Sequence, residues 1–287
     1  MNTLAAPPIP TLRIVPVDAV LPHEEHDPQR SAPLIERIRQ AESWTNPPIV
    51  TPIEEDHREA AQFYALLDGA NRHYAVRHLN FPHVLVQVVE YTSQHVHLET
   101  WNHVLSETSA DDLLPRIYKI QGLHVEHSDV LTAQAALARR EAIAYMRVLP
   151  DWVLMLIAHS TDTRSRNASL RALVNTYKTS ARVNRVNHDN LHAINLLYPD
   201  AVALVVFPHY EPAEILVAAR DQTFLPPGIS RHIIHGRAMR LNYPISALTD
   251  PLTTLDTKNE ALQRWIQNQF ANKRARFYQE AMYIFDD

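Results

Sequence analysis

Three stretches of this 287-residue chain gather residue types that can do chemistry. The first, HEEHDPQR (residues 23–30), sets two carboxylates between two histidines. A carboxylate within hydrogen-bond reach of a substrate hydroxyl can serve as a general base, a role worth about 10²–10⁴ in rate. A solvated acidic loop is the other reading. His23 and His26 are three apart, as metal ligands on a helical turn can be, but the following Asp27-Pro28 and the missing further ligands argue against a structural zinc site. The second stretch, LLDGANRHYAVRHL (66–79), holds one of only four glycines in the chain. A strand that ends at Asp68-Gly69 and runs into a helix points the helix's first amides outward, where they attract anions. Arg72 falls in the first turn, and its fork of donors suits a phosphate. The lysine and spacing of a P-loop are missing. The pattern is equally that of Asp68 as helix cap, Gly69 as an ordinary turn residue and Arg72 in solvent. The third stretch, PPGISRHIIHGRAMRLNYP (226–244), carries two more glycines, Gly228 and Gly236. Glycines so placed mark tight turns or close approach of backbone to a ligand.

Two further histidine groups, HVH (95–97) and HVEH (124–127), place imidazoles on one face if the chain is extended there. Neither has a third and fourth ligand nearby, so surface histidines are the expectation.

These residues need positioning elements. Before residue 100 the pattern reads β, α, β, β, α, β. TLRIVPVDAV (11–20) is a strand, and a helix over about 31–42 follows with Ser31 as N-cap and Pro33 in its first turn. NPPIVTPI (46–53) supplies a strand if it lies on a sheet edge or starts at Ile49. QFYALLD (62–68) is a strand, Ala70 to Leu79 a helix, and PHVLVQVVEY (82–91) a β-branched strand. Beyond Trp101, Leu113, Ile117 and Ile120 predict a helix, and 128–141 another. AIAYMRV and WVLMLIA predict two strands turning at 149–151. Leu170, Leu173, Val174 and Tyr177 mark an amphipathic helix over 163–179. DAVALVVF (200–207) reads as a strand and EPAEILVAARD as a short helix with proline in its first turn. Thr257 and Glu260 match a capping box opening a C-terminal helix of some twenty residues. Its Lys273, Arg274 and Arg276 read as a solvated basic turn.

Composition narrows the function classes. A chain with 46% hydrophobic and 21% charged residues can bury a sizeable core and form two domains. Its apolar runs are too short for a membrane span, and the N-terminus does not resemble a secretory signal, so a cytoplasmic protein without membrane contact is expected. No cysteine is present, which excludes disulfides and thiolate chemistry. A net charge of −5 weighs against a surface built for nucleic acid.

In order and number, HEEHDPQR, NPPIV, LLDGANRHYAVRHL, TWNH (100–103) and PPGISRHIIHGRAMRLNYP resemble the ParB/sulfiredoxin superfamily. Within it, the likeness is to the free L-serine kinases, including the bacterial branch associated with siderophore gene clusters. The resemblance implies a mixed α/β fold. A ParB/sulfiredoxin-like nucleotide-binding domain over 1–100 is followed by a second mixed α/β domain over 101–287, whose GISRH loop closes on the nucleotide. It implies transfer of a nucleotide's terminal phosphate to free L-serine, with ATP favoured over ADP and Mg²⁺ as cofactor. Glu24 matches the family's general base. Asp68, Gly69, Ala70, Asn71 and Arg72 match its phosphate region, with Asp68 as a further catalytic group and Mg²⁺ ligand. Trp101, Ser230, Arg231 and His232 match residues near the serine and the transferred phosphate, and Arg231 can alternatively pair the substrate carboxylate. Ala70-Asn71 stands where some members have two histidines. Sulfiredoxin chemistry needs a cysteine and is excluded. A ParB-like DNA-binding regulator is the alternative, but it would add a basic helix-turn-helix, and none is evident after residue 100. The oligomeric state is not legible.

Overall fold

The computed structural model describes residues 9–53 and 62–278. The mixed α/β fold is as expected, but the chain divides along a different line from a cut near residue 100. One compact unit comprises residues 1–20, 28–96 and 234–287, and the other comprises 21–27 and 97–233.

The first unit is built on a five-stranded sheet in the order Thr11–Pro16, His83–Val88, Ile49–Pro52, Tyr64–Asp68, Val20–Pro22. The proline-flanked strand therefore starts at Ile49 and lies at the centre of the sheet. Its prolines Pro47 and Pro48 fall before the paired residues, and it runs parallel to His83–Val88 and antiparallel to Tyr64–Asp68. Both faces of these inner strands are covered: Ile49, Val50, Leu66, Val84, Leu85 and Val86 are all buried. That is the burial expected of near-continuous apolar runs.

The first helix runs Pro28–Gln40, not from Ser31. Proline opens it in the position where a missing N–H costs nothing, and Ser31 lies inside it, buried, with its hydroxyl toward the Pro28 carbonyl. It packs on the helix Ala70–His78. The C-terminal helix spans Leu255–Ala271. Its cap is Thr254, three residues before the expected Thr257, with the Thr254 hydroxyl accepting from the Thr257 amide.

This helix explains why the segment from residue 234 onward joins the chain's first hundred residues. The Asn259 amide clamps the first strand, its Oδ1 accepting from Ile14 N and its Nδ2 donating to Ile14 O, both at 2.9 Å. Leu262, Trp265 and Ile266 then extend the same core. Lys258, 3% exposed, donates to the carbonyls of Leu248 and Asp250, at the end of the short helix Ile245–Thr249. A cation there meets the negative end of the helix.

The second unit carries a six-stranded sheet in the order Arg182–Val186, Asn102–Ser106, Ala203–Val206, Ala144–Val148, Trp152–Ala158, Leu123–Ser128. Every neighbouring pair is antiparallel. The helices Ala110–Tyr118, Val130–Ala138, Thr163–Tyr177 and Leu191–Leu197 begin at Ser109, Asp129, Asp162 and Asn190, whose side chains each accept from an amide three residues on. Pro212–Arg220 begins with a capping box of Glu211 and Glu214.

Candidate active site

The expected site residues fall into two clusters, one in each unit.

In the second unit, the segment around Glu24 adds a short extension beside Leu225. Leu225 N donates to His23 O at 2.9 Å, and Glu25 N donates to Leu225 O at 3.0 Å. This backbone pairing delivers Glu24 to the GISRH segment. Its Oε2 accepts from Gly228 N at 3.0 Å and from Ser230 Oγ at 3.3 Å. His23, buried, lies 2.7 Å from the same Ser230 hydroxyl and meets the His232 ring edge-on at 5.5 Å. His23 is therefore a neighbour of the Glu24 carboxylate through Ser230. Glu25 turns away to pair with Arg171 at 3.1 Å.

Gly228 is needed as glycine. Its φ is +77°, and a Cβ there would fall 1.8 Å from Arg185 Nη2. Behind it stands His103 of the TWNH segment, 2% exposed, with Nε2 3.4 Å from the Gly228 carbonyl and Nδ1 2.8 Å from the Tyr177 hydroxyl. Burial, with Arg185 adding to it, pulls this imidazole down to about 3. The neutral ring then donates from Nε2 to Gly228 O and accepts at Nδ1 from Tyr177.

The strands Val96–Thr100 and Ser230–Ile234 pair with each other, and Trp101 N donates to Ile229 O at 2.9 Å. Arg231 lies with its guanidinium 4.2 Å from the centre of the Trp101 ring and donates to Glu99 Oε2 at 2.8 Å. Cation–π contact and ion pair together fix its orientation. Glu24, Trp101, Ser230, Arg231 and His232 thus form one neighbourhood, which also includes His23 and Glu99.

In the first unit, the strand Tyr64–Asp68 ends and the helix Ala70–His78 begins at Gly69, the N-cap, with φ +105°. Gly69 O accepts from His73 N at 2.9 Å, and Gly69 brings no side-chain acceptor to the first turn. Asp68 is therefore not the cap. Its Oδ2 accepts from Arg72 Nη2 at 2.8 Å and from Arg237 Nη2. Burial lowers Arg72 from its ordinary value, and Asp68 opposes that shift. Arg72 Nε is buried without a hydrogen-bond partner. A Cβ on Gly69 would lie 3.1 Å from Arg72 Nε, Arg72 Nη2 and Pro48 Cβ, so the glycine makes room for the guanidinium to fold over the helix start. Ala70 and Asn71 occupy the first two helical positions. An orphaned guanidinium nitrogen over a helix start suits an anion with several oxygens, such as a phosphate chain.

Asp68, the expected Mg²⁺ ligand, meets two arginines in this structure. One of its oxygens is shared by two guanidiniums, and among the described residues no group of three or more histidines and carboxylates gathers at metal-binding spacing. His124 of HVEH pairs with Glu126 at 2.9 Å on an exposed edge strand, and His127 meets Trp152, so that motif is a surface feature.

Arg237, Gln87 and His103 carry parts of these clusters without having been singled out by residue pattern. The available signal was Arg237's place directly after Gly236 in a glycine-poor chain.

No family model matches the chain. An ATP-dependent L-serine kinase of Staphylothermus marinus is 34% identical over 113 residues, 39% of this chain and 42% of that protein, so this chain matches less than half the length of that relative. The ATP-dependent L-serine kinase SbnI of Staphylococcus aureus is 24% identical over 96% of this chain and 97% of its own length. A solved free serine kinase in complex with AMP matches 86% of this chain and 98% of its own with a TM-score of 0.69 at 13% identity, a likeness of fold.

Proposed function

We propose that this chain, a relative of the L-serine kinases by sequence and fold, transfers the terminal phosphate of ATP to free L-serine, giving O-phospho-L-serine and ADP. The observation that carries the reading is the Glu24 carboxylate, fixed at Oε2 by the Gly228 amide and the Ser230 hydroxyl. It is a held carboxylate on the residue that matches the family's base by its place in the motif.

In this reading Glu24 takes the proton from the serine hydroxyl as the serine oxygen bonds to the terminal phosphorus and the bond from that phosphorus to the bridging oxygen breaks. Such a transfer needs positioning and charge compensation more than covalent help. Gly69, Ala70, Asn71 and Arg72 supply donors for the phosphate chain, with Asp68 setting the arginine. Ser230 and His232 line the acceptor side. Arg231, pinned between Glu99 and Trp101, presents a guanidinium for the serine carboxylate. Mg²⁺ accompanies nucleotides and neutralises phosphate charge. An ATP-dependent kinase of this kind would work in the cytoplasm.

The test is to incubate purified protein with L-serine, Mg²⁺ and either ATP or ADP, and to look for O-phosphoserine by mass spectrometry. Product with ATP, and less with ADP, is expected. No product with either donor would remove the kinase reading.

A further inference from the structure

We propose that Arg237 is a second phosphate-binding guanidinium, held beside Arg72 by Asp68, so that the two arginines grip the nucleotide's phosphate chain as a pair. The inference rests on the kinase reading above and adds a residue to it.

Three observations carry it. The first is charge. Arg72 and Arg237 both donate to Asp68 Oδ2, which sets two cations around one carboxylate and leaves an excess of one positive charge in a partly exposed cluster. A pairing that served packing alone would need one arginine, whereas a surplus cation suits a polyanion.

The second is how Arg237 is held. The buried Gln87 side chain grips the backbone on both sides of it, Nε2 donating to Gly236 O at 3.2 Å and Oε1 accepting from Ala238 N at 2.8 Å. Leu241 N donates to Thr45 O at 2.8 Å, and Arg240 N to Asn46 Oδ1 at 3.1 Å, fastening the following turn as well. A long, costly-to-order side chain is thus launched from a rigid segment, the arrangement by which a binding group loses little entropy on engaging its ligand.

The third is the neighbouring vacancy in hydrogen bonding: Arg72 Nε, buried over the glycine at the helix start, has no protein partner. A phosphate oxygen would satisfy it. Asp68 thereby acts as a positioning residue for two guanidiniums.

The experiment is calorimetric titration of ATP, and separately of adenosine, into the wild-type protein, Arg237→Ala and Arg237→Lys. Arg237→Ala is expected to weaken ATP by about ten- to a hundredfold, the worth of a hydrogen bond to a charged group. Adenosine affinity should stay unchanged, and Arg237→Lys should fall between, since it keeps the charge but loses the fork. Wild-type affinity for ATP in Arg237→Ala would overturn the assignment. Should that variant also lose adenosine, Arg237→Lys decides: selective loss of ATP supports the pair, and parallel loss of both ligands overturns it. A wild-type protein that binds neither ligand would remove the kinase reading, and this assignment with it.

Discussion

His103 links acidity to the segment that holds the Glu24 carboxylate. Its imidazole is buried, lies at about 3 instead of the ordinary 6.5, and touches the carbonyl of the same Gly228 whose amide donates to Glu24. Because the folded value is depressed, the unfolded chain binds the proton more readily. Stability from this residue is present above 6.5 and is lost as pH falls toward 3. Between pH 7 and pH 5 the unfolded histidine gains about 2 kcal/mol from protonation while the folded one gains almost nothing. Glutamine at 103 retains a donor for the Gly228 carbonyl but cannot be charged. His103→Gln should therefore be less stable at pH 7, by about 1–3 kcal/mol for lost packing and the Tyr177 contact. The deficit should shrink by about 2 kcal/mol at pH 5. Urea unfolding of both proteins at half-unit steps from pH 7.5 to 5 measures this. If unfolding occurs in two steps, the step belonging to the unit that contains residues 97–233 is the one to follow. Parallel stability curves for the two proteins would refute the argument.

Other perturbations separate the roles within the acceptor-side cluster. Glu24→Gln should lower turnover by about 10²–10⁴ while leaving ATP affinity intact, as read by single-turnover assay and calorimetry; near-normal turnover would take Glu24 out of the base role. Gly228→Ala forces a side chain onto a φ of +77° and into the Arg185 guanidinium. Strain of about 1–3 kcal/mol should displace the amide that holds Glu24. Its kcat should fall with nucleotide affinity retained, and an unchanged kcat would mean that the Gly228 contact is dispensable.

Much of the scaffold was legible because its signals are local. Alternating β-branched residues marked His83–Val88, helical spacing marked Thr163–Tyr177, and the paired runs AIAYMRV and WVLMLIA marked the hairpin around residue 150. Boundaries failed where two local signals competed. Pro28 and Ser31 both open helices well, as do Thr254 and Thr257, and the residue that wins is decided by packing further along. The site was half legible. Gly69 and Arg72 were singled out by residue type and spacing and Glu24 by the family resemblance, whereas the arginine partners of Asp68 were not foreseen. The reason is plain: Arg237 is 169 residues away from Asp68, and no periodicity records such a contact. The same holds for Asn259 and Ile14, 245 residues apart, whose clamp ties the C-terminal helix to the first strand.

That clamp bears on how the protein is made. Residues 97–233, with the short segment 21–27, are all synthesised before the helix that covers Ile14 exists. The first strand therefore leaves the ribosome 245 residues ahead of the asparagine that clamps it. During that interval its apolar residues, Leu12, Ile14 and Val15, are a hazard for misassociation. An early stop codon ahead of Leu255 would leave the second unit's residues complete and the first unit's oldest strand permanently uncovered.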